Sequence, residues 1–484
     1  MQRRHSGEPE RGASPVRSMT LGRRIADQLG RWQRGAISDG DRSRRVSRTF
    51  FFHFQASRIH PFSLRPGYTL GLGILSAFLF VVLTVTGALL MVYYVPSVER
   101  AYGSTADIMY VVPAGRYLRN MHRWAAHGMV VSVVLHMCRV LFTGSYGNGR
   151  SVNWLIGIGL LVLTLLLSFT GYLLPWDQLS YWAVTIGTNI AAAGSDLTSA
   201  LGLHALDPGR TVKLLLLGAQ IVGQDALIRF YLLHIVLLPL LMAALVGLHF
   251  WRIRKDGGLT RPRSLAEGAG STAGADGRGL ILSWPALFWA EAAVVTLGTA
   301  ALLLAAYTLD APLGEIANPA APDNPAKAPW YFLGVQELVS YSAFAGGVLV
   351  PLLLALALAA VPWFDRERRG IGIWFSDSKG LQTTVRSLVA GAGATIVVMA
   401  PAIIWGTGRA WLHSLHPLLP LLVNPATILA GCIVGWSWVI YRATRSTRCT
   451  VLAFSAASLV AVVLLTAIGL WFRGADWQFV LPSI

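Results

Sequence analysis

Long uninterrupted apolar runs constrain this chain more than any other feature. The stretches from Gly71 to Tyr94 and from Trp154 to Leu174 reach or exceed the ~20 residues needed to cross a bilayer's hydrocarbon core as a helix. Nine such runs can be read, near 68–94, 119–142, 153–175, 230–251, 284–307, 345–363, 385–405, 419–441 and 450–472. Only 13% of the chain is charged and 54% is hydrophobic, whereas a soluble domain carries roughly a quarter charged residues. A single water-soluble globule is excluded. The expected fold is an all-α integral membrane protein of about nine transmembrane helices, the first four forming a bundle.

The formal net charge of +17 is a topology signal rather than a nucleic-acid footprint. With the N-terminus inside and sides alternating, the inside segments 1–66, 139–152, 252–280, 364–386 and 442–448 carry 14, two, six, five and three Lys/Arg, which is 30 of the 40. That is the expected inside excess, and nine spans then leave the C-terminus outside. The first 50 residues are Arg-rich and have no apolar core of the length a secretory signal requires. Residues 1–60 are expected to be a basic cytoplasmic tail that touches anionic lipid. Residues 256–283 are rich in Gly, Ala and Ser in their first part and read as a linker. The three cysteines, Cys138, Cys432 and Cys449, form no C-x-x-C or C-x-x-C-H pattern, which leaves a cysteine zinc site, an iron–sulfur cluster and an attached c-type haem without ligands.

Ionisable groups at membrane depth are costly and usually functional. The second span holds His122 and His136, 14 residues apart, which is within about 40° of one face and ~21 Å along the axis. The fourth holds His234 and His249, 15 apart, with Pro239 between them to bend the helix and absorb the difference. On antiparallel helices these give two levels with one imidazole from each helix, the arrangement two bis-histidine haems require. The competing reading is a set of hydrogen-bonded structural histidines or a proton path. His127, five residues from His122, points off that face and is read as packing. Gly73 and Gly87 on the first span, and Gly157 and Gly171 on the third, repeat the spacing of 14 and would clear room for a flat macrocycle at the same depths. Arg119, Arg123 and Arg139 flank the histidines and suit haem propionates; interfacial snorkelling is the alternative.

Met121-His-Arg-Trp, Leu135-His-Met-Cys-Arg, Thr170-Gly-Tyr-Leu-Leu-Pro-Trp-Asp-Gln and Arg229-Phe-Tyr-Leu-Leu-His together resemble cytochrome b of the cytochrome bc complexes. The 15-residue gap resembles the cytochrome b6 branch, and residues from about 284 to 365 resemble that branch's subunit IV, joined here in one chain. The resemblance covers about residues 60–365. It implies a di-haem N-terminal domain over 61–255, a quinol-site domain over 284–370 and additional helices over 371–484. It implies two b-type haems, one on His122 and His234 near the outer face and one on His136 and His249 near the inner face.

The same resemblance implies a core subunit of a proton-translocating quinol:cytochrome c oxidoreductase in a bacterial-type inner membrane. A Rieske iron–sulfur protein and a c-type cytochrome would be its partners, with quinol and quinone as substrates, and the complex would be a homodimer. The family's quinol-oxidation site maps onto Pro175-Trp176-Asp177-Gln178 and Pro325-Ala-Lys-Ala-Pro-Trp-Tyr-Phe. Trp330 and Tyr331 match its Pro-Glu-Trp-Tyr motif, but Pro329 replaces the glutamate and Ala328 the first proline. Glu337 is expected to take over the proton role, its alternative being a helix N-terminal cap. Asp177 and Tyr172 are secondary candidates. Gly71 stands where the b6 branch has a haem-attaching cysteine, so no covalent haem is expected. Arg254, Lys255 and Asp256 could serve inner quinone protonation. The family's long form has eight spans against nine here. The rivals are a di-haem membrane anchor without bifurcation and a haem-free transporter with proton-relaying histidines.

Overall fold

The computed structural model describes residues 58–262, 280–405 and 418–481. The tail over 1–60, apart from its last three residues, and most of the linker over 256–283 lie outside the described residues. Among the described residues nine helices are long and apolar enough to cross a membrane, as expected. We label the helices used below α1 (Leu72–Met91), α2 (Ala101–Tyr110), α3 (Gly115–Phe142), α4 (Ser151–Tyr172), α5 (Gln178–Ala192), α6 (Pro208–Leu217), α7 (Gln224–Lys255), α8 (Ala286–Thr308), α9 (Trp330–Val339), α10 (Ala345–Phe364), α11 (Ser378–Trp405), α12 (Pro425–Thr444) and α13 (Thr447–Trp471).

The first four spans, α1, α3, α4 and α7, form a bundle, with α1 packed on α3 and α4 on α7. Its core is apolar and includes Leu79, Ala125, Met129, Leu163 and Met242. The short helices α2, α5, α6 and α9 lie outside the nine spans and were not read from the sequence. Asp177 caps α5, accepting from the Ser180 amide at 2.9 Å, which explains why that helix starts immediately after the Pro-Trp of the preceding loop.

α7 is where the sequence reading needs correction. It contains a π-helical turn over Leu233–Leu237, closed by the Leu238 amide bonding back five residues to the Leu233 carbonyl. A π turn winds in one extra residue. That residue, rather than a bend at Pro239, reconciles the 15-residue histidine gap on α7 with the 14-residue gap on α3. Pro239 follows the turn directly and has no amide to donate to the helix ladder. α10 repeats the device, with a π turn over Ala345–Leu349 ahead of Pro351.

The last three spans pack together and against the rest, α13 being the most buried of the three. At one end of α13, Arg448 pairs with buried Asp365, which also accepts from the Tyr146 hydroxyl in the loop after α3. At the other end, Arg473 pairs with buried Glu337. A buried ion pair keeps its charges only when both partners are present, so α13 is fixed to the preceding chain at both ends.

Candidate functional site

The four histidines meet in two pairs on the bundle's inner faces. The rings of His122 and His234 have centroids 6.3 Å apart at an interplanar angle of 73°, and those of His136 and His249 are 6.4 Å apart at 77°. An imidazole–metal–imidazole axis with metal–nitrogen distances of about 2.0 Å spans close to this separation once half of each ring is added. Among the described residues no group of three or more His, Cys, Asp or Glu side chains is gathered to hold a metal. Two protein ligands per level cannot complete a protein-only tetrahedral site, but an opposed imidazole pair is the donor set that a bis-histidine haem would take.

At the His122–His234 level the ring tautomers are fixed. Thr86 donates its hydroxyl to the Val82 carbonyl at 2.7 Å and lies 2.9 Å from His122 Nδ1. Thr170 donates to the Leu166 carbonyl at 2.9 Å and lies 3.2 Å from His234 Nδ1. With each hydroxyl proton committed to its own helix, each threonine oxygen accepts from the Nδ1 proton of its histidine. That leaves the Nε2 lone pair free, as a metal ligand requires. At the His136–His249 level no hydroxyl reaches either ring: the buried His136 Nδ1 makes no hydrogen bond, and His249 faces the Asn153 backbone. This level opens into a cavity of about 780 Å³ lined by His136, His249, Arg139, Gly73 and Arg254, a volume in the range of ligand pockets.

The glycines stand against the imidazole edges. A Cβ on Gly171 would lie 2.5 Å from His234 Cε1, on Gly87 3.2 Å from His122 Cε1, on Gly73 3.3 Å from His136 Cε1, and on Gly157 4.0 Å from His249 Cε1. At Gly171, Gly87 and Gly73 the ring edge occupies the space that a missing side chain leaves, whereas at Gly157 a Cβ would make ordinary contact. Among the arginines, Arg123 and Arg139 each keep a buried Nε without a partner, which suits a propionate carboxylate. Arg119 departs from that expectation. Its terminal nitrogens donate to the Ala311 and Pro312 carbonyls at 2.6 and 2.8 Å, so it straps α3 to the loop after α8. Asn120 and Trp124 donate to the Ala306 and Leu309 carbonyls beside it.

The loop after α4 meets the first part of the loop after α8, residues 314–318. The Gln178 amide donates to the Glu315 carbonyl at 2.8 Å, the Ala317 amide to the Trp176 carbonyl at 3.2 Å, and the Asn318 amide to Gln178 Oε1 at 2.7 Å. Asp177 is buried and committed: besides capping α5 it accepts from the Gly314 amide at 3.0 Å. Tyr172 lies beside Arg123. Trp330 and Tyr331 open α9 and face His127. The indole of Trp330 donates to His127 Nδ1 at 2.8 Å, and the Tyr331 ring stands edge-on to the imidazole at 6.0 Å. The sequence reading left His127 as packing. Its tautomer is the reverse of that of His122 and His234, with the lone pair on Nδ1 engaged and the proton on Nε2.

Glu337 is neither an N-cap nor a free proton acceptor. It sits in the last turn of α9, fully buried, and pairs with Arg473. Burial alone lowers the Arg473 guanidinium, but the Glu337 carboxylate and Tyr341 hold it above its ordinary value. Both carboxylate oxygens are occupied, by Arg473, the Trp477 indole and the Tyr341 hydroxyl, which withdraws Glu337 from the expected role. In the same segment, burial pushes the Lys327 ammonium below its ordinary value. Asp256 is likewise committed, pairing with Arg252 at 3.0 Å, and the Lys255 ammonium sits over the Trp251 ring at 4.9 Å. Gly71 has a left-handed backbone with φ +62°, and a Cβ there would meet Val294 at 2.6 Å.

Residues 57–257 match the family described as cytochrome b/b6/petB. Cytochrome b6 of Heliobacterium mobile is 42% identical over 196 residues, 40% of this chain and 87% of that protein. Cytochrome b6 of Euglena gracilis is 41% identical over 178 residues, 37% of this chain and 78% of that protein. A solved structure described as a hyperthermophilic respiratory Complex III shares the fold, with a TM-score of 0.60 at 23% identity over 80% of this chain and 94% of that chain. The chain belongs to the cytochrome b/b6 family, and membership implies b-type haem. The structural likeness covers more of the chain than the family match does and so continues beyond residue 257.

Proposed function

We propose that this chain is the cytochrome b subunit of a quinol:cytochrome c oxidoreductase of the bc type, oxidising quinol near the outer face and reducing quinone near the inner face, with proton translocation. The observation that carries the reading is the stacking of two imidazole pairs, each at an axial-ligand separation, on the four helices that match the cytochrome b family. His122 and His234 hold the outer b haem, and His136 and His249 the inner one. Arg123 and Arg139 meet propionates. When bound, the two haems supply one-electron carriers at two depths of the membrane.

The chain's own residues do the rest. The paired loops at Trp176–Gln178 and Glu315–Asn318 wall the quinol site on one side. Trp330 and Tyr331 line it, and Trp330 holds His127 in the tautomer whose Nε2 proton can be donated to a quinol or quinone oxygen. His127 thus offers a hydrogen-bond donor that orients the quinol oxygen; with Nδ1 occupied by Trp330 it does not replace the proton acceptor for which Pro329 stands. The cavity beside His136 and His249 accommodates the inner haem, and Arg254 faces inner quinone chemistry. The domains are 61–255 for the haems, 284–370 for the quinol site and resemblance to subunit IV, and 371–484 for the added spans. The partners are a Rieske iron–sulfur protein and a c-type cytochrome in a lipid-embedded homodimer. The membrane is a bacterial-type inner membrane with a cytoplasmic N-terminus.

Purification through a tag on this chain tests the proposal. A co-purifying Rieske protein and c-type cytochrome, with quinol-dependent cytochrome c reduction, is expected. A peripheral dehydrogenase in their place, with quinone exchange and no bifurcation, would overturn it.

A further inference from the structure

The ninth span grips the segment that carries Trp330 and Tyr331. Glu337 Oε2 accepts from Arg473 Nε at 2.9 Å and from the Trp477 indole at 3.0 Å, while Oε1 accepts from the Tyr341 hydroxyl at 3.0 Å. Arg473 also donates to the Tyr341 hydroxyl at 2.8 Å and to the Trp477 carbonyl at 2.8 Å. Two further ties reach the loop ahead of α9. Lys327 donates to the Leu470 carbonyl at 3.0 Å, and Asn324 donates to Asp476 at 2.7 Å.

The helices touch backbone to backbone. A Cβ on Gly334 would lie 3.0 Å from Thr466 Oγ1 and 3.3 Å from the Val462 carbonyl, and one on Gly469 3.3 Å from Leu333. Past α13, Asp476 and Trp477 both hold positive φ, 52° and 58°. Two consecutive non-glycine residues in the left-handed region persist only where their surroundings enforce it. The strained turn is the one that delivers Trp477 to Glu337 and Asp476 to Asn324.

We propose that α13 and the turn after it form a positioning element for the quinol site, in which Arg473 fixes Glu337 and thereby the helix that presents Trp330 and Tyr331 to His127. This deepens the reading given under Proposed function and rests on it for the identity of the substrate. Arg473 and Glu337 are positioning residues: they act through α9 and do not touch quinol.

The test uses the whole membrane complex with Arg473→Gln, Arg473→Lys, the double variant Glu337→Gln/Arg473→Gln, and Asn324→Ala. Asn324→Ala removes only an exposed tie and keeps the buried pair, so it remains informative if Arg473→Gln does not assemble. Two readouts are taken: hydrogen exchange of residues 324–336, and KM against kcat for decylubiquinol with the haem spectrum as control.

Positioning predicts faster exchange over 324–336 and a KM raised about tenfold with kcat within about twofold for Arg473→Gln. Arg473→Lys and the double variant should lie between it and the unmodified chain, and Asn324→Ala should move both readouts in the same direction by less. Exchange that stays unchanged in both Arg473→Gln and Asn324→Ala overturns the proposal whatever the kinetics. An unmodified complex that does not oxidise quinol, with exchange still raised in the variants, leaves the positioning element standing and removes the quinol assignment instead.

Discussion

The two histidine levels of the bundle are built from the same parts but finished differently. Both place one imidazole from α3 and one from α7 at nearly equal separation and near-perpendicular planes, and both set glycines of α1 and α4 against the rings. At the outer level a threonine stands one residue before each glycine, Thr86-Gly87 and Thr170-Gly171, and anchors Nδ1. At the inner level Leu72 and Ile156 stand in those positions, so no hydroxyl anchors either ring: His136 Nδ1 is unbonded and His249 faces only the Asn153 backbone. A hydrogen bond on the far nitrogen orients a ligand ring and raises its basicity. The outer level is therefore held by protein before any ligand binds, while the inner rings rely on packing and on what fills the cavity. The contrast fits the proposed roles: the outer level adjoins a substrate loop, and the inner one opens to a large cavity.

Glycine substitutions break the comparison most severely. Gly171→Ala places a methyl 2.5 Å from His234 Cε1, whereas Gly157→Ala places one 4.0 Å from His249. Gly171→Ala is expected to abolish outer haem incorporation and Gly157→Ala to retain the inner haem, as counted by difference spectra. Equal loss in both would contradict the tight fit at the outer level.

Next in size is the imidazole beside that level. His127→Phe keeps the ring's bulk but removes the donor that orients quinol, and it is expected to lower quinol oxidation about a hundredfold with both haem bands intact. Turnover within twofold of the unmodified chain would return His127 to a packing role.

Thr86→Val together with Thr170→Val removes both outer anchors at nearly constant volume. Losing the hydrogen bond that orients a ligand ring weakens metal sites about 10–100-fold. The outer haem should shift in midpoint potential or occupancy in a redox titration and the inner should not. A shift confined to the inner haem would reverse the assignment of the levels.

The smallest effect separates the arginines. Arg139→Gln should perturb only the inner haem, whereas Arg119→Gln should leave both spectra unchanged and cost about 1–3 kcal/mol of stability through the orphaned carbonyls it served. A spectral change on Arg119→Gln would restore it to the propionates.

Much of this architecture is legible in the sequence because bilayer thickness leaves few choices for an apolar run of 20 or more residues. The nine spans and the meeting of the four histidines follow from length and helical period alone. The π turn at Leu233–Leu237 is not legible, since a one-residue excess in spacing fits a bend as well as a bulge. Thr86 and Thr170 are legible only through the repeated Thr-Gly pair, a weaker signal than the glycine spacing. His127 was assigned to packing from its angle to His122, which says nothing about α9, a partner distant in sequence. Glu337 was misjudged for the same reason: its countercharge lies 136 residues later, beyond the reach of any local pattern.

In the proposed reading this chain holds two bis-histidine b haems at separate depths. A pyridine haemochrome count on the purified chain should give two b haems per polypeptide, falling to one in His122→Leu and to one in His136→Leu, with the surviving band differing between the two variants. Absence of haem in the unmodified chain, or two haems retained in either variant, would contradict the account.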